Sequence, residues 1–244
     1  MSKLNKLLGV VCINLKPFIR NPLWSVILLL QPLGMMIIFR IIGGSGSEVH
    51  AIIGGIVVFS INGGMVNLPQ YVVRDKAIKF NYFFVSSPIS PLAYSFGKAI
   101  GISLPLVPPL LLMIILLRSF QPFGWIGFLS LIGVVSLSWV AGVLMGFFIS
   151  TYINNMIYIS AVANGLQVVL AMLPPVYYPV SLLPSAIQAP VLLIPTSSMA
   201  HLSRVAVGAE SFSRTTTLLS FVILAAYCLF FSLLIVRKSQ WVEK

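Results

Sequence analysis

Apolar positions in this chain follow two different patterns. Over residues 1–20, Leu4, Leu7, Leu8, Val11, Cys12, Leu15, Phe18 and Ile19 recur at spacings of three and four, while Lys3, Asn5, Lys6 and Lys16 fall largely elsewhere. This periodicity predicts an amphipathic interfacial helix, lying in the membrane surface and leading into the first span; an ordinary soluble amphipathic helix is the plainer alternative. The spread of Lys3, Lys6, Lys16 and Arg20 along it, without a short apolar run ending at a small-residue site, does not read as a cleavable signal peptide.

Beyond residue 20 the apolar positions stop alternating and become continuous. The runs predict membrane-spanning helices over 22–42, 51–73, 97–117, 125–149, 155–173 and 215–236, each near the roughly 20 residues that one crossing requires. Unbroken runs favour helices over the alternating strands of a membrane barrel. The fold class expected is therefore an all-α integral membrane protein with six transmembrane helices in a single domain. Residues 174–203 are apolar but carry Pro174, Pro175, Pro179, Pro184, Pro190 and Pro195, too many for one continuous helix. They read as a re-entrant or interfacial hairpin between the fifth and sixth spans, packed on other helices or capping a cavity.

Composition agrees with this picture. Hydrophobic residues are 59% of the chain, charged residues 8%, and the mean hydropathy is +1.04, against about 25% charged in soluble domains. Between Ser119 and Ser203 there is no Lys, Arg, Asp or Glu. With both termini placed in the cytoplasm, Lys3, Lys6, Lys16, Arg20, Arg74, Lys76, Lys79, Lys98, Arg237, Lys238 and Lys244 lie inside, and Arg40, Arg118, Arg204 and Arg214 outside. That distribution follows the positive-inside rule for a multi-pass protein of the cell membrane. The net charge of +11 is then accounted for by topology and anionic lipid. Nucleic acid is not expected as a partner, because the cations are divided among separate membrane-flanking segments.

Charge concentrates in the stretch YVVRDKAIKFNYFFVSSPISPLAYSFGKAIG, residues 71–101. Arg74, Asp75, Lys76 and Lys79 precede Phe80, Tyr82, Phe83 and Phe84, and then comes a Ser86-Ser87-Pro88 step. A short helix from about Arg74 to Val85, stopped by Pro88, would show a charged first turn and an aromatic face. Snorkelling cations and interfacial aromatics are the plainer reading.

This segment, with Gly97-Lys98 at the start of the third span, resembles the cytoplasmic coupling segment of ABC transporter permeases of the type-2 exporter class. RNPLWSVILLLQPLGMMIIF, residues 20–39, is similar to that family's Arg-x-Pro start and Pro-containing first span. YPVSLLPSAIQAPVLLIPTSSMAHLSR, residues 178–204, is similar to its Pro-rich segment between the last two spans, ending at Arg204. The likeness runs in order along nearly the whole chain. Asp75 is the one acid in a block that is Glu-rich in many members, and Lys79 and Phe80 stand near the family's Gly-Thr.

The resemblance implies a permease subunit of an ATP-driven exporter that pairs with a second permease copy, as homodimer or heterodimer. It would contact a separate ATP-binding subunit through residues 74–88, with Arg74, Asp75, Lys76, Lys79, Phe80, Tyr82, Phe83, Phe84, Ser87 and Pro88 as contact residues. ATP and magnesium would sit on that partner. The sequence of this chain has no cofactor motif, since the Lys of SFGKAIG lacks the upstream glycine of a phosphate loop.

Two other function classes lack the residues they require. For an intramembrane enzyme, the acids are Glu48, Asp75, Glu210 and Glu243 and the histidines His50 and His201, with no Gly-x-Ser-x-Gly or His-Glu-x-x-His motif. Glu48 and His50 share an outer loop and read as a solvated turn rather than a metal site. Cys12 and Cys228 offer no disulfide or redox motif. For an ion-coupled carrier or channel, charged groups are needed within the spans; away from the cytoplasmic rims the expected spans hold only Arg40.

Polar uncharged residues within spans, Gln31, Asn62, Asn67, Gln70, Asn164 and Gln167, are candidate pathway positions, although such residues more often serve as helix-to-helix hydrogen-bond partners. A pathway without fixed charge suits uncharged or amphipathic cargo such as lipid, drug or glycan. Gly142 and Gly146, and Gly97 and Gly101, form Gly-x-x-x-Gly steps expected to pack helices within one subunit. Gly54, Gly55, Gly63, Gly64 and Pro69 predict a bendable second span.

Overall fold

The computed structural model describes residues 3–44, 46–80 and 89–238. Among them the regular structure is all helical, with no strand. Helix α1 (Lys3–Ile19) leads to α2 (Pro22–Gly43), which starts on Pro22, where a missing N–H costs nothing. Helix α3 (Ser47–Asn62) passes through a π-helical turn, Gly63–Asn67, into α4 (Leu68–Ala77). Helix α5 (Pro91–Ser103) is joined by a 3-10 turn, Leu104–Leu106, to α6 (Val107–Phe120). Then follow α7 (Trp125–Tyr152), α8 (Met156–Met172), the short α9 (Ser185–Val191), α10 (Pro195–Ala206) and α11 (Arg214–Lys238).

Four helices among the described residues are long and apolar enough to cross a membrane: Ser47–Ala77, Ala93–Phe120, Trp125–Tyr152 and Arg214–Ile235. Helix α2 has 22 residues, and α8 is an apolar helix of 17, short for a crossing. The central element is α3 with α4, buried without interruption from Ala51 to Val66. It lies among α2, α6, α7, α8 and α10.

Close backbone approach decides how α7 crosses it. A Cβ on Gly146 would stand 2.0 Å from Gly64 O, and one on Gly142 would stand 2.6 Å from Ile61 O. The π turn lies at this crossing; Leu68 N bonds back to Gly63 O, and Pro69, with no N–H to return, follows at once. The second glycine pair seats α1 on α5, for a Cβ on Gly97 would meet Val10 Cβ at 2.8 Å and one on Gly101 would meet Val11 O at 2.8 Å. Both Gly-x-x-x-Gly steps thus pack helices within the chain. Helix α1 turns Val10, Val11, Asn14 and Phe18 inward, while Leu8, Cys12 and Ile19 from its expected apolar face are exposed.

Three expectations need correction. Arg74 to Lys76 do not open a separate helix; they form the last turns of the long helix ending at Ala77. The helix that carries the second span expected over 51–73 therefore runs over 47–77, and the helix that carries the third, expected from 97, begins at Pro91. Charge does not end these helices because the charged groups find partners within the fold. The Glu48–His50 turn is likewise not solvated: Glu48 is buried in the first turn of α3, accepting from Gly46 N at 2.6 Å and pairing with Arg40 at 3.5 Å. In the proline-rich segment, α10 is buried from Pro195 to Arg204 against α3, α7 and α11, and α9 is exposed.

Candidate functional site

At the end of the bundle where α4 stops and α5 begins, the charged residues of the 71–101 stretch converge. Ser90 caps α5 by accepting from Ala93 N at 3.3 Å, and Pro91 occupies its first turn. Two turns on, Lys98 points into the bundle with a side chain that is 0% exposed. Its ammonium donates to the Asp75 carboxylate, to Tyr94 Oη at 3.1 Å and to Tyr71 O at 3.2 Å. Three donors meet three acceptors, which is what a buried ammonium requires.

Asp75 is 2% exposed and is shared by a second cation. Arg74, 43% exposed, reaches its other oxygen at 3.2 Å while its guanidinium lies 4.4 Å from the centre of the Tyr71 ring. Lys76 extends the network sideways, donating to Ser150 O and Asn154 Oδ1, both at 3.3 Å, and so reaches the connection between α7 and α8. One turn of α4 is thus tied to the start of α5 and to the end of α7.

The helix stops in a Schellman motif. Lys79 N bonds to Lys76 O at 3.0 Å and Phe80 N to Asp75 O at 2.8 Å, with Lys79 at φ 59°. Phe80 then folds back on Val10 and Tyr94, joining α1 to the same end. Lys79 is exposed. Of the other proposed contact residues, Tyr82, Phe83, Phe84, Ser87 and Pro88 lie outside the described residues.

The proposed pathway positions are only partly brought together. Gln70 Oε1 accepts from Ser160 Oγ at 3.3 Å, and Asn164 Nδ2 donates to Ser160 O at 2.8 Å, so α4 and α8 share one polar seam. Asn62 is buried with an unpartnered Oδ1. Asn67 and Gln167 are half-buried, and the Gln31 side chain lies outside the described ones.

A second polar cluster, at the opposite end, went unrecognised in the sequence. Arg204, 0% exposed, donates to Val176 O at 2.6 Å and Pro175 O at 3.1 Å, fixing the bend after α8. Burial pulls its guanidinium down to about 10, against the opposing charges of Glu210 and Tyr178. His201 Nδ1 lies 3.2 Å from Glu210 Oε2. Burial alone would raise the Glu210 carboxyl, but His201, Arg204 and His50 together hold it below the usual carboxylate range. An arginine closing an otherwise uncharged stretch was the available signal. The bend it holds lays Tyr177 against Gly54 and stacks it on Phe39 at 5.1 Å.

Neither cluster presents a nucleophile beside a base, and among the described residues no group of three or more His, Cys, Asp or Glu could hold a metal ion. The first cluster ties α1, α4, α5 and the connection between α7 and α8 together at one end of the bundle. No curated protein matches the chain. Residues 7–207 match the family described as ABC-2 type transporter, a stretch that takes in the Asp75–Lys98 cluster and, of the second cluster, His201 and Arg204. The chain is a multi-pass membrane protein and belongs to the ABC-2 type transporter family, as an ABC transporter permease.

Proposed function

We propose that this chain is the membrane subunit of an ATP-driven exporter, crossing the cell membrane six times with both termini in the cytoplasm. Two such subunits, identical or related, form the pathway and rest on two separate ATP-binding subunits, which carry ATP and magnesium. The observation that carries this reading is the Asp75–Lys98 joint. A loop that only flanked a span would keep its charges in water, whereas here the turn preceding residues 81–88 is bolted to α5 through Lys98 and to α7 through Lys76.

Force applied to such a loop is passed to three helices at once. Closure of the ATP-binding subunits then biases the bundle between two packings, which is the minimum a coupling mechanism needs. The cargo is uncharged or amphipathic, because the polar seam of Gln70, Ser160 and Asn164 carries no charge. Purifying the chain with its neighbours tests the reading directly: an ATP-binding protein should accompany it, with ATPase activity sensitive to changes at 74–88. Recovery of the chain alone, with transport independent of ATP, overturns it.

One observation favours a second reading. Asp75 and Lys98 place a buried ionisable pair inside two candidate spans, which an ion-coupled carrier would require. Transport driven in vesicles by a proton gradient without ATP would select that reading.

A further inference from the structure

The break between α5 and α6 leaves a cleft of about 240 Å³ lined by residues of α3, α5, α6 and α7. Phe59, Leu106, Leu110 and Val135 form its apolar wall, with Ser60, Ser103 and Trp139 among them. Those polar groups are already engaged with one another or with backbone. Ser60 Oγ donates to Val57 O at 2.8 Å, and Trp139 Nε1 donates to Ser103 Oγ at 2.8 Å. Of the polar lining only the Ser136 hydroxyl, at the exposed rim, has no such partner, so the wall offers little to a polar guest.

Position along the helices fixes the medium that the cleft meets. Ser60 lies 13 residues into the helix that starts at Ser47, and Trp139 lies 14 into the one that starts at Trp125. At 1.5 Å per residue, each is about 20 Å from the helix start, near the middle of a hydrocarbon core of about 30 Å. The rim residues Leu104, Val107 and Ser136 are exposed at this depth. The surroundings there are acyl chains, and the cleft exceeds the roughly 150 Å³ that suffices for a benzene ring in an apolar protein cavity.

We propose that this cleft holds the acyl chain of a membrane lipid. The bound chain presses toward the start of the π turn, because Ser103 and Leu106 are the side chains nearest Gly63. A Cβ on Gly63 would lie 2.7 Å from Ser103 Oγ and 2.8 Å from Leu106 Cδ1. A lipid in the cleft thereby stabilises the packing in which the turn is supported from behind.

The test uses the full chain alone in vesicles, with Trp24, Trp125 and Trp241 changed to Phe so that Trp139 is the sole reporter. Phosphatidylcholine brominated at mid-chain should quench Trp139 about twofold more than lipid brominated near the glycerol, as the two positions differ in depth within a ~30 Å core. The filling variant Ser136→Phe should lose most of that quenching while remaining monodisperse. A mid-chain diazirine lipid should label residues 100–110 and 135–139, a readout independent of how well the filled variant folds. Equal quenching from both lipids, absence of label in those segments, or crosslinking of Ser136→Cys to a second copy would overturn the proposal. None of these readouts requires ATP or a partner, so they stand apart from the exporter reading.

Discussion

Lys98 donates into the carboxylate of Asp75 from 23 positions further along the chain, and neither side chain touches solvent appreciably. Removing one partner leaves the other charge buried, which costs about 3–5 kcal/mol, whereas replacing both with uncharged groups is often close to neutral. Lys98→Met should therefore lower thermal stability in detergent sharply, and Asp75→Asn with Lys98→Met should recover most of the loss. Additive losses in the double variant, measured by thermal unfolding, would show that the pair does not act as a unit.

The crossing of α3 and α7 makes a steric prediction. A methyl group on Gly146 would meet Gly64 O, which belongs to backbone and cannot swing aside. Gly146→Ala should abolish or severely reduce folded yield, beyond the roughly 1–3 kcal/mol of ordinary overpacking. Gly133→Ala, in the same helix with nothing within 4 Å, should be tolerated. Size-exclusion profiles of the two purified variants make the comparison.

Which parts were legible in the sequence follows from where the information sits. Continuous apolar runs located the long helices because burial in lipid demands little beyond length. The ends were misplaced where charges were satisfied internally: Asp75 and Lys98 look like rim residues in a linear reading, and only the fold reveals that they face each other. The Gly-x-x-x-Gly pairs were readable as intrasubunit packing because small residues matter only where backbones meet. Arg204, His201 and Glu210 carried no local pattern, since their partners Pro175 and Val176 contribute carbonyls that every residue possesses.

Lys79 occupies the left-handed position of the Schellman motif at φ 59°, where a Cβ is unfavourable. Glycine relieves that strain, so Lys79→Gly should stabilise the chain by about 1 kcal/mol, less whatever glycine's extra freedom in the unfolded chain returns. Lys79→Ala removes the same charge without the relief and should give no gain. A rise in Tm for the alanine variant equal to that for glycine would assign the effect to charge instead.

At the opposite end, acidification tests the Glu210 clasp. Its carboxyl is held below the usual range despite partial burial, by His201 first and then by the positive charge around it. A lowered folded-state value means that the stabilisation is present above the unfolded value of about 4.3 and is lost as pH falls through the folded one. Thermal stability followed from pH 7 downward should thus decline at acidic pH, and part of that decline should vanish in Glu210→Gln, which starts lower at pH 7. His201→Gln should shrink the same part of the slope, because the neutral amide removes the partner whose contact lowers the carboxyl. An acid limb unchanged in both variants would remove Glu210 as its source.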